Sequence, residues 1–269
     1  MKNITITDKS TNDVIVEDVS FSLERNCCLG IVGESGSGKS LTTKAMLGLI
    51  SPSLKVGGSV QFDGQNLLQM KSKEMREIRG KRICIILQDA MSAFDPLYTI
   101  GYQIKETLCE KLPVSKKEAE EIAITELEKM LIKEPRQVLK KYPHQLSGGM
   151  LQRCMIAIAI AVKPDIIIAD EPTTALDSIS QNEVIVEFQR LRKELNTAVI
   201  FISHDLGVVQ RLAQTVLVMK EGKQVEYGNV EEVFTQPKHE YTKYLVQTRV
   251  QLTKSFAEAM KKGSEKCSK

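Results

Sequence analysis

The sequence has no tryptophan, only 3 histidines and an aromatic content of 5% in 269 residues. Its six cysteines (Cys27, Cys28, Cys84, Cys109, Cys154 and Cys267) include no C-x-x-C pair, so neither a zinc ribbon nor a disulfide framework is expected. Several lie in apolar runs, where free cysteine behaves as a small hydrophobe in a reducing compartment. Net charge is low as well. Lys+Arg 37 against Asp+Glu 34 leaves +3, evenly spread, which argues against a nucleic-acid footprint. Long hydrophobic runs are missing: the longest, Cys154 to Val162, falls far short of the roughly 20 residues that span a bilayer. The first 21 residues lack a basic stretch followed by an apolar one, so no signal peptide is expected and the chain is read as cytoplasmic.

What is present is a hydrophobic content of 42%, enough for one large domain with or without an inserted subdomain, and too much for a disordered chain. Short apolar runs alternate with helical patterns, as in a sheet covered on both faces. The runs are Leu29 to Val32, Ile83 to Leu87, Ile166 to Ala169, Ala198 to Ile202 and Thr215 to Met219. An earlier strand is expected over Val19 to Leu23. Strand signals vanish between Ile104 and Lys140. There Ser115 and Glu118 form a capping box opening a helix with Ala119, Ile122, Ala123, Leu127 and Met130 on one face. A second amphipathic helix is expected from about Gln181 to Leu195, carrying Val184, Phe188, Leu191 and Leu195 on one face, with Asn196 as its C-cap. A third carries Leu252, Phe256 and Met260, stopping at Gly263 before a polar tail expected to be disordered.

Gly33-Glu34-Ser35-Gly36-Ser37-Gly38-Lys39-Ser40 matches G-x-x-x-x-G-K-[ST], after a strand and before a helix expected over Ser40 to Ile50. Glycines let consecutive N–H groups, through Leu41, converge on phosphate oxygens. Lys39 reaches the β- and γ-phosphates and the Ser40 hydroxyl faces Mg²⁺. A second element, Ile166-Ile167-Ile168-Ala169-Asp170-Glu171, ends a buried strand in two acids. Asp170 is expected to hold the Mg²⁺ shell, and Glu171 to polarise or orient the attacking water. These two elements also suit small-molecule kinases and GTPases.

The deciding segment is Leu146-Ser147-Gly148-Gly149-Met150-Leu151-Gln152-Arg153, which is similar to the signature motif of ATP-binding-cassette (ABC) ATPases. The order of the Gly33 loop, Gln88, the Leu146 segment, Asp170-Glu171, Ala175-Leu176-Asp177 and His204 resembles that family's full set over nearly the whole chain. The resemblance implies an α/β P-loop NTPase fold of the ABC ATPase type. Its mixed core sheet is flanked by helices, with an inserted α-helical subdomain and an N-terminal antiparallel β region. Boundaries follow at 1–89 with 164–235 for the nucleotide-binding core, 90–163 for the helical subdomain and 236–269 for a C-terminal extension. ATP and Mg²⁺ are the implied ligands, with Ser40, Gln88 and Asp170 at the metal. His204 is then the switch histidine near the γ-phosphate, and Asp177 belongs to the D-loop.

The resemblance also implies a head-to-tail dimer with a second, like or unlike, ABC ATPase. Ser147 and Gly149 of one subunit would face the ATP on the other. Physically, Ser-Gly-Gly leading into a helix of Met155 to Val162 makes a second helix N-terminus fit for phosphate, more than one ATP on one chain needs. Gln88 to Pro96 and Pro237 to Thr242 resemble the peptide and nickel importer group, and the wording is nearest to nickel or metal-chelate importers, with peptide importers as the alternative. Two transmembrane permeases and, indirectly, a solute-binding protein are the implied partners, the chain lying on the cytoplasmic face of the membrane. Ala90 to Ile104 is expected to receive the permease, with Phe94, Pro96, Leu97 and Tyr98 as apolar contacts. One departure is the absence of any aromatic in Asp8 to Asp13, where the family stacks adenine. Weak base selectivity is expected from that. Glu171 and His204 together disfavour a nucleotide sensor without turnover. A soluble non-transport ABC ATPase is a further alternative, disfavoured because neither a second cassette nor a long coiled-coil insertion is seen in the sequence.

Overall fold

The computed structural model describes residues 1–174 and 177–249. Eleven strands appear among them in chain order: β1 (Lys2–Asp8), β2 (Val14–Val19), β3 (Cys28–Val32), β4 (Leu54–Ser59), β5 (Gln61–Phe62), β6 (Gln65–Asn66), β7 (Ile83–Ile86), β8 (Ile166–Asp170), β9 (Ala198–Ile202), β10 (Thr215–Lys220) and β11 (Lys223–Asn229). Nine join one sheet in the order β4-β1-β2-β11-β10-β3-β9-β8-β7, while β5 and β6 form a separate small hairpin. From β10 to β7 all neighbours are parallel, and β1 pairs antiparallel with β2 and β4. β10 and β11 also pair antiparallel, so the sheet is mixed.

Alternation within the parallel strands splits the interior in two. Cys28 and Val32 face one core and Leu29 and Ile31 the other, as a two-residue period dictates. Every residue of β3 and β9 is buried, so these strands read as unbroken apolar runs. Gly30 is required by packing: a Cβ there would stand 2.2 Å from Val209 Cγ1. Helix α8 (Leu206–Leu212) thus lies directly on β3.

The remaining helices are α1 (Lys39–Met46), α2 (Ser72–Ile78), α3 (Ile100–Lys111), α4 (Lys116–Lys129), α5 (Pro135–Val138), α6 (Gly148–Ala161), α7 (Ser178–Leu195) and α9 (Val230–Thr235). Helices α3 to α6 all fall between β7 and β8. The Ser115–Glu118 box forms as expected, the Ser115 hydroxyl accepting the Glu118 N–H at 3.3 Å and the Glu118 carboxylate accepting the Ser115 N–H at 2.7 Å. Ala119, Ala123, Leu127 and Met130 are buried and Ile122 is half-buried.

Several expected boundaries move. Helix α1 stops at Met46 rather than Ile50, because Gly48 turns left-handed (φ 61°) and donates to Ala45 O. Helix α6 starts at Gly148 rather than Met155, since Ser147 caps it. Helix α7 starts at Ser178, and Asn196 past its end has φ 57°. No strand forms over Val19 to Leu23: β2 ends at Val19, and the N–H groups of Ser20 and Ser22 go to the side chains of Gln224 and Tyr227. Phe21 packs into the core outside any strand. The helix expected around Leu252 to Met260, and the tail after it, lie outside the described residues.

Candidate functional site

The loop from Gly33 to Gly38 joins β3 to α1. Gly33 has φ 150°, and a Cβ on it would meet Met219 O at 2.1 Å, so the chain can pass β10 only as glycine. Gly38, at φ 93°, caps α1 and has no side chain with which to satisfy the first helical N–H groups. The amides of Lys39, Ser40 and Leu41 therefore open the helix without a side-chain cap, a setting made for an anion. Lys39 is 5% exposed and its ammonium donates to Gly33 O at 2.8 Å and Glu34 O at 2.7 Å. Burial pulls its pKa down, opposed by the nearby Glu171, Asp170 and Glu34. Ser37 Oγ is buried inside the loop without a protein partner among the described residues. Gly36, at φ 81°, has open space beside it.

Asp170 closes β8 and is 2% exposed. Its carboxylate accepts from Ser40 Oγ at 2.6 Å and lies 4.0 Å from Lys44 Nζ. Burial raises its pKa above the usual carboxylate range, while the Ser40 hydrogen bond and Lys44 pull it back. A buried acid held by one hydroxyl and a distant ammonium retains capacity for a cation.

Glu171 follows in a left-handed conformation (φ 47°), its N–H donating to Ile202 O at 3.0 Å. That turn sends the two adjacent acids different ways. Glu171 Oε2 accepts from Thr174 Oγ1 at 3.0 Å and Gln88 Nε2 at 3.3 Å, and lies 3.3 Å from His204 Nδ1. Three parallel strands thus deliver Gln88, Glu171 and His204 from the same end of the sheet, beside the loop carried by β3. His204 is 62% exposed; Asp205 beside it caps α8 by accepting from Gly207 and Val208.

The signature residues stand apart. Ser147 caps α6, its hydroxyl accepting the Met150 N–H at 3.3 Å. Ser147 and Gly148 are exposed, Gly149 and Met150 half-buried, and Leu146 is buried beneath them. Among the described residues no hydrogen bond joins 146–150 to 33–41. The helix behind them is tied in: Gln152 Nε2 donates to Leu87 O at 3.2 Å, next to Gln88, and Arg153 donates to Ser180 Oγ at 3.3 Å. Asp177 accepts from the same Ser180, through its N–H at 3.0 Å and its hydroxyl at 2.8 Å. Ala175 and Leu176 lie outside the described residues.

Sequence reasoning missed Thr174, Lys44 and the Arg153–Ser180 link. Thr174, three residues after Glu171, could have been suspected as a local side-chain partner; the others carry no local signal. One expectation is corrected. Phe94 is 7% exposed and belongs to the core, so it offers little surface to a partner, whereas Leu97 (78% exposed), Tyr98 (46%) and Met91 (46%) are exposed. The reason is that 91–93 form a 3₁₀ turn that brings Phe94 inward against the core containing α6. Tyr98 stacks on Tyr102 with centroids 4.8 Å apart. Among the described residues no helix is long and apolar enough to cross a membrane.

Comparison with known proteins agrees with this geometry. The family model described as ABC transporter matches residues 16–174. The chain is 44% identical over 261 residues to the metal-staphylopine import system ATP-binding protein CntD of Staphylococcus aureus, covering 97% of this chain and 96% of the relative. It is 40% identical to the oligopeptide transport ATP-binding protein OppD of Salmonella typhimurium, covering 96% of this chain and 77% of that one. Among solved structures, the dimeric post-hydrolysis state of the ATP-binding cassette MJ0796 with ADP and Pi superposes with a TM-score of 0.73 at 26% identity, over 84% of this chain and 98% of that one. With its phosphate loop, paired acids and signature helix in the family's order, the chain belongs to the ABC transporter family as an ATP-binding cassette that couples ATP hydrolysis to transport.

Proposed function

We propose that this cassette energises an importer of metal chelates from the cytoplasmic face of the membrane, paired with a second like or unlike cassette beneath two permeases, with a solute-binding protein upstream. The observation that carries the catalytic part is the convergence of Lys39, Ser40, Asp170, Glu171, Gln88 and His204 at one end of the parallel strands. The metal-chelate reading is supported by the near full-length match, in both directions, to the metal-staphylopine import ATPase. The functional units assigned are 1–89 with 164–235, 90–163 and 236–269.

The residues have these roles. Gly33, Glu34, Ser35, Gly36, Ser37 and Gly38 shape the loop whose amides, continuing through Lys39, Ser40 and Leu41, bind the triphosphate, and Lys39 neutralises it. The donor set of Ser40 hydroxyl, Asp170 carboxylate and Gln88 amide is all oxygen at its available ligand atoms, as Mg²⁺ prefers. When bound there, Mg²⁺ supplies charge compensation to the phosphates. Glu171 takes the proton of the water whose oxygen attacks the γ-phosphorus as the bond to the β-phosphate oxygen breaks. His204, at hydrogen-bonding distance from Glu171, steadies that water. Leu146, Ser147, Gly148, Gly149 and Met150 present the exposed N-terminus of α6 to the nucleotide on the partner cassette, and Asp177 holds the neighbouring turn.

The test is uptake. Cells lacking this chain should fail to accumulate nickel, cobalt or zinc offered as a chelate, and Lys39→Ala should not restore uptake although the wild-type chain does. Unchanged metal uptake with lost growth on oligopeptides would replace the reading by peptide import, which the match to OppD makes the second choice.

A further inference from the structure

The segment after β11 is not needed to complete the sheet, yet it reaches the phosphate loop. Glu226 on β11 accepts the N–H groups of Lys238 at 3.0 Å and His239 at 3.1 Å, and His239 Nδ1 accepts the N–H of Tyr241 at 3.1 Å. These bonds start a helix over residues 240–249. Tyr241, in its first turn, is 7% exposed and lies under Lys220, whose Nζ is 5.2 Å from the ring centroid. Its hydroxyl accepts the N–H of Glu34 at 2.9 Å. Further along this helix Arg249 donates to Gln210 on α8 at 2.9 Å, the helix that opens beside His204.

The Glu34 residue is thereby held from two sides. Its N–H is taken by Tyr241 and its C=O by Lys39. Peptide planarity fixes each group with its neighbour, so anchoring the Glu34 N–H also orients the preceding Gly33 carbonyl, the second acceptor of the Lys39 ammonium. Burial keeps the phenol protonated, raising its pKa, and a neutral hydroxyl has lone pairs free to accept.

We propose that Tyr241 is a positioning residue for nucleotide binding: its hydroxyl fixes the Gly33–Glu34 peptides that aim Lys39, and the helix it begins straps the phosphate loop to α8. This rests on the ATPase reading above and adds a residue from outside the motifs. Loss of the hydroxyl leaves the Glu34 N–H without its partner and the start of the loop free to shift, which weakens capture of the triphosphate without removing any group that touches the reacting atoms.

Tyr241→Phe in the full-length chain is the test, since it keeps the ring and deletes the oxygen. Titration with a fluorescent N-methylanthraniloyl ATP in Mg²⁺ should show about fivefold weaker binding, the worth of one net hydrogen bond. Site-resolved hydrogen exchange should show the Glu34 amide exchanging faster while the β3 amides keep their wild-type protection. In the assembled transporter KM for ATP should rise with kcat within twofold. Unchanged affinity, an unchanged Glu34 amide, or exchange accelerated equally through β3 would each overturn the proposal, the last by showing general loss of stability. A wild-type chain that does not bind the probe would instead sink the ATPase reading itself.

Discussion

Replacing Glu171 by glutamine separates chemistry from folding. The side chain keeps its shape but loses the charge that accepts a proton. Its Oε2 is the meeting point of Gln88, Thr174 and His204 at 3.0 to 3.3 Å. As a general base the carboxylate is worth about a hundredfold to ten-thousandfold in rate, or about 3–5 kcal/mol of barrier. The stability at risk is smaller. His204 is 62% exposed, so its pairing with Glu171 contributes less than about 1 kcal/mol. That corresponds to a Tm shift of no more than about 2–4 °C in a chain of this size. Phosphate release by Glu171→Gln in the assembled transporter should therefore fall at least a hundredfold while Mg-ATP binding and Tm stay near wild type. Phosphate release within threefold of wild type would refute the assignment of Glu171 as base.

Two further outcomes follow from the surface and the base site. Phe94→Ala should destabilise the fold by about 3–5 kcal/mol, because the ring is buried in the core. Leu97→Ser, at a side chain 78% exposed, should leave Tm unchanged and uncouple ATP hydrolysis from uptake; identical behaviour of the two variants in melting would contradict the assignment. The turn from Asp8 to Asp13 is tied by Asp8 to Ser10 and Thr11 and offers no ring, while Val14 and Ile15 beside it are exposed aliphatics. ATP and GTP should accordingly be hydrolysed with kcat/KM values within about tenfold of each other, and a preference for ATP beyond about a hundredfold would refute it.

Much of this protein is legible in the chain because the signals are local. A glycine-rich turn ending in Lys39 and Ser40, acids closing an isoleucine-rich strand, and the box of Ser115 and Glu118 each act within a few residues, the range over which capping and loop curvature operate. The parallel strands announce themselves because burial on both faces removes polar residues from all but their end positions. Boundaries were less legible where a single residue changes the backbone, as Gly48 does in ending α1 and Ser147 in starting α6 earlier than the alanine-rich stretch suggests. The strand expected over Val19 to Leu23 failed because its amides found side chains 204 and 205 residues away.

What the sequence by itself determined was therefore the kind of chemistry: a loop for phosphate, acids for a cation and a water, and a second helix start for another nucleotide. Only the tertiary structure decided which groups meet. Gln88 and Glu171, 83 residues apart, and Glu34 and Tyr241, 207 apart, share a hydrogen bond only because the parallel strands and the helix over residues 240–249 bring them to one end of the sheet. Phe94 is core rather than surface for the same reason. Local propensity sets how a segment folds, but the partner of a side chain is chosen by packing, where burial of apolar faces outweighs any preference encoded within a few residues.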